Sequence, residues 1–346
     1  MLVKIGERSR VWFWRRCFWG CVIVLALVGA TLVPHLKNSA ELVRMRNALL
    51  LQAAPATGEW TPAAPPPGFR LESAPVDALY AQAVVEHTLV VPGDDWATAL
   101  RMGQHLLQAS GRGGAIQSSL DDTYRRIVER GEGYCGDFAD VFTGLAHAAG
   151  LFSRSWAFSF DGFGGYGHVF NEIWDRQVGQ WRMIDVFNNF YVVNAQGVPL
   201  SALAFRAALQ AGQADLQLVR VDEEAPPGFI HEHKAWDYYR QGLPEWYLWM
   251  GNNVFEYDQS VLVRGFGKMH RALEQLGGMA AGAHPGIRIL ETADNEAQRE
   301  ALRWLRVRLL AVVVLTLAAL VCLIAWFVTR QQSSRNKRVL CDQSEP

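Results

Sequence analysis

Gly133-Tyr-Cys-Gly-Asp-Phe-Ala-Asp-Val-Phe-Thr-Gly-Leu-Ala-His-Ala-Ala-Gly150 reads as a helix with a thiol at its mouth, and the chain changes period immediately after it. Phe138, Phe142, Leu145 and Ala149 recur at helical spacing, and Gly150 supplies the left-handed residue that ends such a helix. Beyond it, 153–160 alternates as a strand, 161–167 is glycine-rich, and His168–Trp174 and Trp181–Phe187 form two strands around a turn containing Gly179. Tyr191–Val193 adds a short fourth strand, and 200–212 returns to a helical pattern. Working backwards, Ser119-x-x-Asp122 is a capping box for a helix ending at Arg130. Asp94 caps an earlier helix, and 76–89 forms another. Helices followed by an antiparallel sheet define an α+β domain.

The glycines flanking Cys135 place its sulfur at a helix N-terminus, where free N–H groups and the helix dipole favour a thiolate and hold an oxyanion. If the two later strands pair about a turn centred between Arg176 and Gln177, facing residue numbers sum to 353. His168 then faces Asp185, Phe170 faces Met183, and Glu172 faces Trp181. Facing Cβ atoms lie ~4.5–5.5 Å apart, near enough for a carboxylate to orient an imidazole. The chemistry such a set supports is a triad, with Cys135 as nucleophile, His168 as base and then acid, and Asp185 fixing the ring.

These blocks resemble the transglutaminase-like superfamily. Gly133-Tyr-Cys135-Gly-Asp-Phe-Ala139 with Ala146-His-Ala-Ala-Gly150-Leu-Phe-Ser-Arg154 is similar to that family's nucleophile helix and its Ala-Ala-Gly-Ile-Pro-Ala-Arg close. His168-Val-Phe-Asn171-Glu172-Ile is similar to its His-Ala-Trp-Asn-Glu-Val strand, and Trp181-Arg-Met-Ile-Asp185 to its Trp-x-x-x-Asp strand. The resemblance covers about residues 75–195 and implies a papain-like core with Cys135, His168 and Asp185 as its triad, working without a cofactor. Phe152-Ser153 stands where the family has Pro-Ala, and no side-chain oxyanion donor is evident upstream; Gln117 and Tyr124 are the candidates. Tyr134, Trp181 and Tyr166 are candidate substrate contacts. Zinc ligation by the three triad residues is disfavoured by the absence of a CxxC pair, so no metal is expected. Gly162-Phe-Gly-Gly-Tyr-Gly167 lacks the Lys-Ser/Thr of a phosphate loop and reads as a lid or connection beside His168.

Two uncharged apolar runs bracket this domain, residues 17–36 and 309–329, each about the length that crosses a bilayer as a helix. Five Lys/Arg against one acid precede the first run, and the chain from 303 to its last residue carries seven against two. The leader and run are long for a cleaved signal peptide, so an uncleaved anchor is expected. The basic leader favours an inside N-terminus, although Arg299, Arg303, Arg306 and Arg308 at the other span's outer end weaken the rule. The expected organisation is a cytoplasmic leader (1–16), a first span (17–36), a linker (37–71), a transglutaminase-like domain (72–200), an aromatic-rich extension (201–300), a second span (309–329) and a cytoplasmic tail (330–346). That puts the domain in the periplasm of an inner-membrane protein. Outside the basic ends, 31 acids face 21 bases, a balance that repels phosphate backbones and makes nucleic acid an unsuited partner. Cys135 is the lone cysteine of the external region, so disulfides do not staple it.

The stretch from Trp236 to Trp249 reads either as aromatics packed on the core, as a bilayer-interface belt, or as rings that clamp a sugar or peptide. Asn252-Asn-Val-Phe-Glu-Tyr-Asp258 faintly resembles the tails of transglutaminase-like proteins in bacterial exopolysaccharide systems, which would make envelope polysaccharide machinery a partner. Two readings of function follow. One is a membrane-anchored cysteine enzyme that cleaves or transfers acyl groups of amides, with protein or peptide substrates. The other is a non-catalytic scaffold of envelope assembly on the same fold.

Overall fold

The structure, a computed structural model, describes residues 2–109, 111, 113, 114, 116 and 118–342. The chain forms two compact units, one of residues 42–299 and one joining 1–41 with 300–346. In the second of these, α1 (Leu2–Leu32) ends in a 3-10 turn, and the C-terminal α12 (Glu296–Asp342) runs for 47 residues. Helix segments Ser9–Leu36 and Ala293–Arg335 are long and apolar enough to cross a membrane. Their flanks expose Trp19, Ile23, Leu27, Val314, Ile324 and Phe327, a burden that water would penalise and lipid would not.

The other unit begins within α2 (Ser39–Leu50) and continues through an irregular Pro-rich stretch to α3 (Ala78–Glu86) and α4 (Asp95–Leu107). The α4 cap is the predicted one, the Asp94 carboxylate accepting from Ala97 N–H at 2.8 Å. α5 (Leu120–Arg130) starts on Ser119, whose Oγ accepts from Asp122 N–H at 3.3 Å, and stops at left-handed Gly131. α6 (Cys135–Ala148) then carries the thiol on its first residue. β1 (Ser153–Ser159), β2 (Gly167–Asp175) and β3 (Gln180–Ile184) follow, then β4 (Phe190–Val193), α7 (Ala202–Gln210), β5 (Gln217–Arg220) and α8 (Glu232–Gly242). β6 (Trp246–Met250), α9 (Val254–Gln259), α10 (Val261–Gly267), α11 (Arg271–Ala280) and β7 (Gly286–Ile289) complete the unit.

The main sheet is antiparallel in the order β3-β2-β1-β6-β7, so its strands come from both sides of position 200. β4 belongs to a separate two-stranded ribbon with β5. Both faces of the main sheet are covered, as the strand alternation requires. On one face Ile173 and Ile184 pack with Met102, Leu106, Ile127, Phe142 and Leu145 of the helical layer. On the other, Trp156, Phe158, Phe170 and Met183 pack with Phe205, Tyr239 and Trp246. The mixed α/β architecture with an antiparallel sheet is the α+β fold expected from the sequence.

The β2–β3 register differs from the expectation by two residues. Glu172 faces Met183 and Trp174 faces Trp181, so facing numbers sum to 355. The turn is one residue later than expected because Arg176 docks on Asp95 through two side-chain bonds of 2.6 and 2.8 Å, and Gly179 N–H closes on Asp175 O at 2.8 Å, with Gly179 at φ +63°. A shift of two preserves the face of every side chain.

Candidate active site

Cys135 sits at the first turn of α6 because Gly133, at φ +118°, turns the chain into the helix and Asp137 accepts from Tyr134 N–H at 2.8 Å. The N–H groups of that turn have no intrahelical acceptor. The starts of α6 and β2 are brought together by Asn171. Its amide donates to Ala139 O at 3.2 Å, to Thr143 Oγ1 at 3.1 Å and to Ser155 Oγ at 3.2 Å. Three residues earlier on β2, His168 lies within hydrogen-bonding reach of Cys135. Phe187 packs beside both α6 and the imidazole, 5.6 Å from the Phe138 ring and 6.2 Å from the His168 ring.

Asp185 follows the last residue of β3 and reaches His168 diagonally across the strands rather than from the facing position. The carboxylate Oδ2 lies 2.7 Å from His168 Nε2. That leaves Nδ1 for the sulfur. The carboxylate is held from four directions: by the imidazole, by Asn188 Nδ2 at 2.8 Å, by Asn188 N–H at 3.1 Å on Oδ1, and by the Tyr239 hydroxyl. Its backbone is fixed as well, since Asp185 and Phe190 exchange N–H···O bonds of 2.9 and 3.0 Å around a turn with Asn189 at φ +58°.

Burial is the largest influence on both partners, and the pair overrides it. Burial alone would raise the Asp185 carboxyl, but the imidazole, the Tyr239 hydroxyl and the Asn188 amide hold it below the usual carboxylate range. Burial alone would lower the His168 imidazole, but Asp185 and Cys135 push it up to about 10. At neutral pH the site therefore holds a charged imidazolium between a carboxylate and a sulfur.

The sequence's other candidates fall elsewhere. Trp181 is not a substrate contact. It is buried among Trp60, Phe152 and Trp174, donates its indole N–H to Trp60 O at 2.7 Å, and lies 3.8 Å under the Arg154 guanidinium. Tyr124 is not an oxyanion donor, because its hydroxyl is engaged with His105 Nε2 at 2.8 Å inside the helical layer. Gln117 lies outside the described residues. Tyr134 is exposed and lines the cleft at Cys135, whereas Tyr166 is exposed on the glycine-rich loop away from the lining. That loop is pinned and is not a free lid. Phe163 at its centre is fully buried at φ +63°, its N–H donates to Ser159 Oγ at 2.8 Å and Glu245 Oε2 at 3.1 Å, and its carbonyl accepts from Asn47 at 2.8 Å.

A cleft of about 330 Å³ opens at Cys135 and His168 and follows α6 past Asp140 to Thr143. Its far wall is built from α2, β6, α9 and α11, with Arg46, Tyr247, Tyr257 and Glu274 among its side chains. The Asn252–Asp258 segment is part of that wall and also a brace: Asn252 accepts from Glu72 N–H at 3.1 Å and donates to Ser153 O at 3.2 Å. Tyr239 and Trp246 pack on the core, as the plainest reading of the aromatic stretch expected, and form no sugar clamp. Sequence reasoning missed Asn188, Tyr239 and the far wall. Asn188 was within sight, three residues after Asp185, but a turn of that tightness has no clear signature in Val-Phe-Asn-Asn. Tyr239 and the far wall lie too distant along the chain for spacing to place.

The sequence profile of the transglutaminase-like superfamily matches residues 110–186, which include Cys135, His168 and Asp185. No curated protein matches the chain. One solved structure, described as that of a candidate cysteine protease from Cytophaga hutchinsonii, is 18% identical over 45% of this chain and 55% of that one, with a TM-score of 0.25. The chain thus spans about half the length of that protein, and so loose a superposition supports no comparison of sites. With Cys135 at a helix mouth, the His strand and the Asp strand in that order, residues 110–186 are similar to the transglutaminase-like superfamily.

Proposed function

We propose that the protein is a membrane-anchored cysteine enzyme that cleaves or transfers the acyl group of an amide through Cys135, His168 and Asp185. The observation that carries this reading is the contact of one imidazole with both the Asp185 carboxylate, at 2.7 Å, and the Cys135 thiol. An imidazolium beside the sulfur favours the ion pair from which a thiolate attacks. The sulfur bonds to the amide carbon, and the electron pair of the carbonyl moves to oxygen, where the free N–H groups of the first α6 turn receive it. As the C–N bond breaks, His168 gives its proton to the leaving amine, and a thioester remains. Water or a second amine, deprotonated by His168, attacks the thioester and releases an acid or a new amide with the sulfur regenerated. Asp185 stays ionised throughout and keeps the ring aimed.

The two spans and the basic leader favour an inner-membrane protein with residues 72–300 outside the cytoplasm and the segments 1–16 and 330–346 inside. Peptides and proteins of the envelope are the substrates within reach of such a domain. The test is amide turnover by the full-length protein in detergent against a peptide library, with Cys135→Ala as control. Turnover lost in the variant, at equal protein level and thermal stability, supports the enzyme. Full envelope function of Cys135→Ala in a deletion strain would support the scaffold reading instead.

A further inference from the structure

The cleft beyond Cys135 carries charge that the acyl-transfer steps do not use. Asp137, Asp140, Asp258 and Glu274 line it against Arg46 and Arg271. Most of these are satisfied locally. Asp137 accepts from Tyr134 N–H at 2.8 Å, Asp258 accepts from Leu120 N–H at 2.9 Å, and Glu274 pairs with Arg271 and accepts from the Tyr257 hydroxyl at 3.2 Å. Asp140 and Arg46 are the exceptions. Among the described residues the Asp140 carboxylate accepts no hydrogen bond and joins no ion pair, and its side chain opens into the cleft. Arg46 bonds only the neutral amide oxygen of Asn47, at 3.0 and 3.1 Å, and lies 5.1 Å over the Trp249 ring.

The two groups feel each other's charge without touching. Here they stand apart on the walls of one cavity, each with unused hydrogen-bonding capacity. Asp140 is exposed to the cleft, so its carboxylate is open to a partner that enters there. Asp140 is five residues along α6 from Cys135, a rise of roughly 7.5 Å. Arg46 lies outside residues 110–186, so the second charge of the pair comes from a part of the chain beyond the matched segment.

We propose that the cleft seats an amide one side of which ends in a free amino-carboxylate head group, its ammonium on Asp140 and its carboxylate on Arg46, with a flexible spacer of several atoms leading back to Cys135. This deepens the acyl-transfer reading and rests on it for the direction of the amide. The substrate class is then a peptide or isopeptide carrying an unblocked zwitterionic end near the reacting bond. Neutral or singly charged amides lack one of the two partners and leave a desolvated charge behind on binding.

The probe is Nε-acetyl-lysine, whose side chain sets its amide a few atoms from the head group, compared with its Nα-acetyl derivative and its methyl ester. Binding is measured by ligand-observed NMR on the full-length Cys135→Ser protein in detergent. The free compound is expected to bind at least about tenfold more tightly than either blocked form. Asp140→Asn should abolish the penalty for blocking the amine and keep the penalty for the ester; Arg46→Gln should do the reverse. A merely misfolded variant gives neither pattern. Equal binding of the three compounds, or no binding of any at millimolar concentration, overturns the proposal. Selective binding in a protein whose Cys135 forms no acyl adduct would remove the nucleophile reading and leave the head-group site standing.

Discussion

In the proposed mechanism one imidazole decides the chemistry, and its state is set by neighbours rather than by exposure. His168 is held charged by Asp185 against the pull of its own burial. Replacing the carboxylate leaves only Cys135 to oppose burial, so Asp185→Asn should lower the imidazole well below about 10. The alkaline limb of the pH–rate profile moves down accordingly, and the rate at neutral pH falls by a factor on the order of 10³–10⁴ as the ring loses charge and aim. Tyr239→Phe is the finer test of position. It removes a donor that helps hold Asp185 ionised, so the acid limb should rise while the alkaline limb, set by His168, stays. A profile that merely drops in height would reduce Tyr239 to a packing residue.

At the scale of the element, the matched blocks hold residues that build the architecture beside those proposed for the chemistry. Arg154 and Glu172 form a buried pair at 2.6 Å, the carboxylate also taking the Trp156 indole N–H at 2.6 Å and the Ala202 N–H at 2.5 Å, so β1, β2 and the start of α7 converge on one charge. Removing one partner leaves the other stranded; Arg154→Met should cost about 3–5 kcal/mol in unfolding free energy by denaturant titration. The helix–strand order, the caps at Asp94 and Ser119 and the nucleophile helix were legible because each has a local cause. The strand register was not, because the docking of Arg176 on Asp95 that delays the turn joins positions 81 apart. The face survived the error because the side-chain period is two. Trp181 was misread for the same reason that it is recognisable: an aromatic in the family's strand marks the site's neighbourhood, but it faces the second core and serves as the plate under Arg154.

For the whole molecule, the sheet is shared between the family segment and residues that sequence reasoning set apart as an extension. β6 and β7 extend the sheet that carries His168, and α8 supplies Tyr239 to Asp185. A truncation after residue 200 should therefore fail to yield soluble folded protein, with loss of the cooperative unfolding transition as the readout. The apolar segments Ser9–Leu36 and Ala293–Arg335 make a topological prediction that can be checked separately. Protease added to intact spheroplasts should cut within 72–300 and spare epitope tags at both ends. Loss of both tags with the domain intact would reverse the orientation.

The most direct measurement of the central claim is the acyl-enzyme itself. Full-length protein is mixed with p-nitrophenyl acetate, and the adduct is located by peptide mass spectrometry in the wild type, Cys135→Ser and His168→Ala. The account predicts a burst of nitrophenol and an acetyl thioester on Cys135, absent in the first variant and slowed by a factor on the order of 10³ in the second. An adduct on Cys135 forming equally fast without His168, or none forming at all, would contradict it.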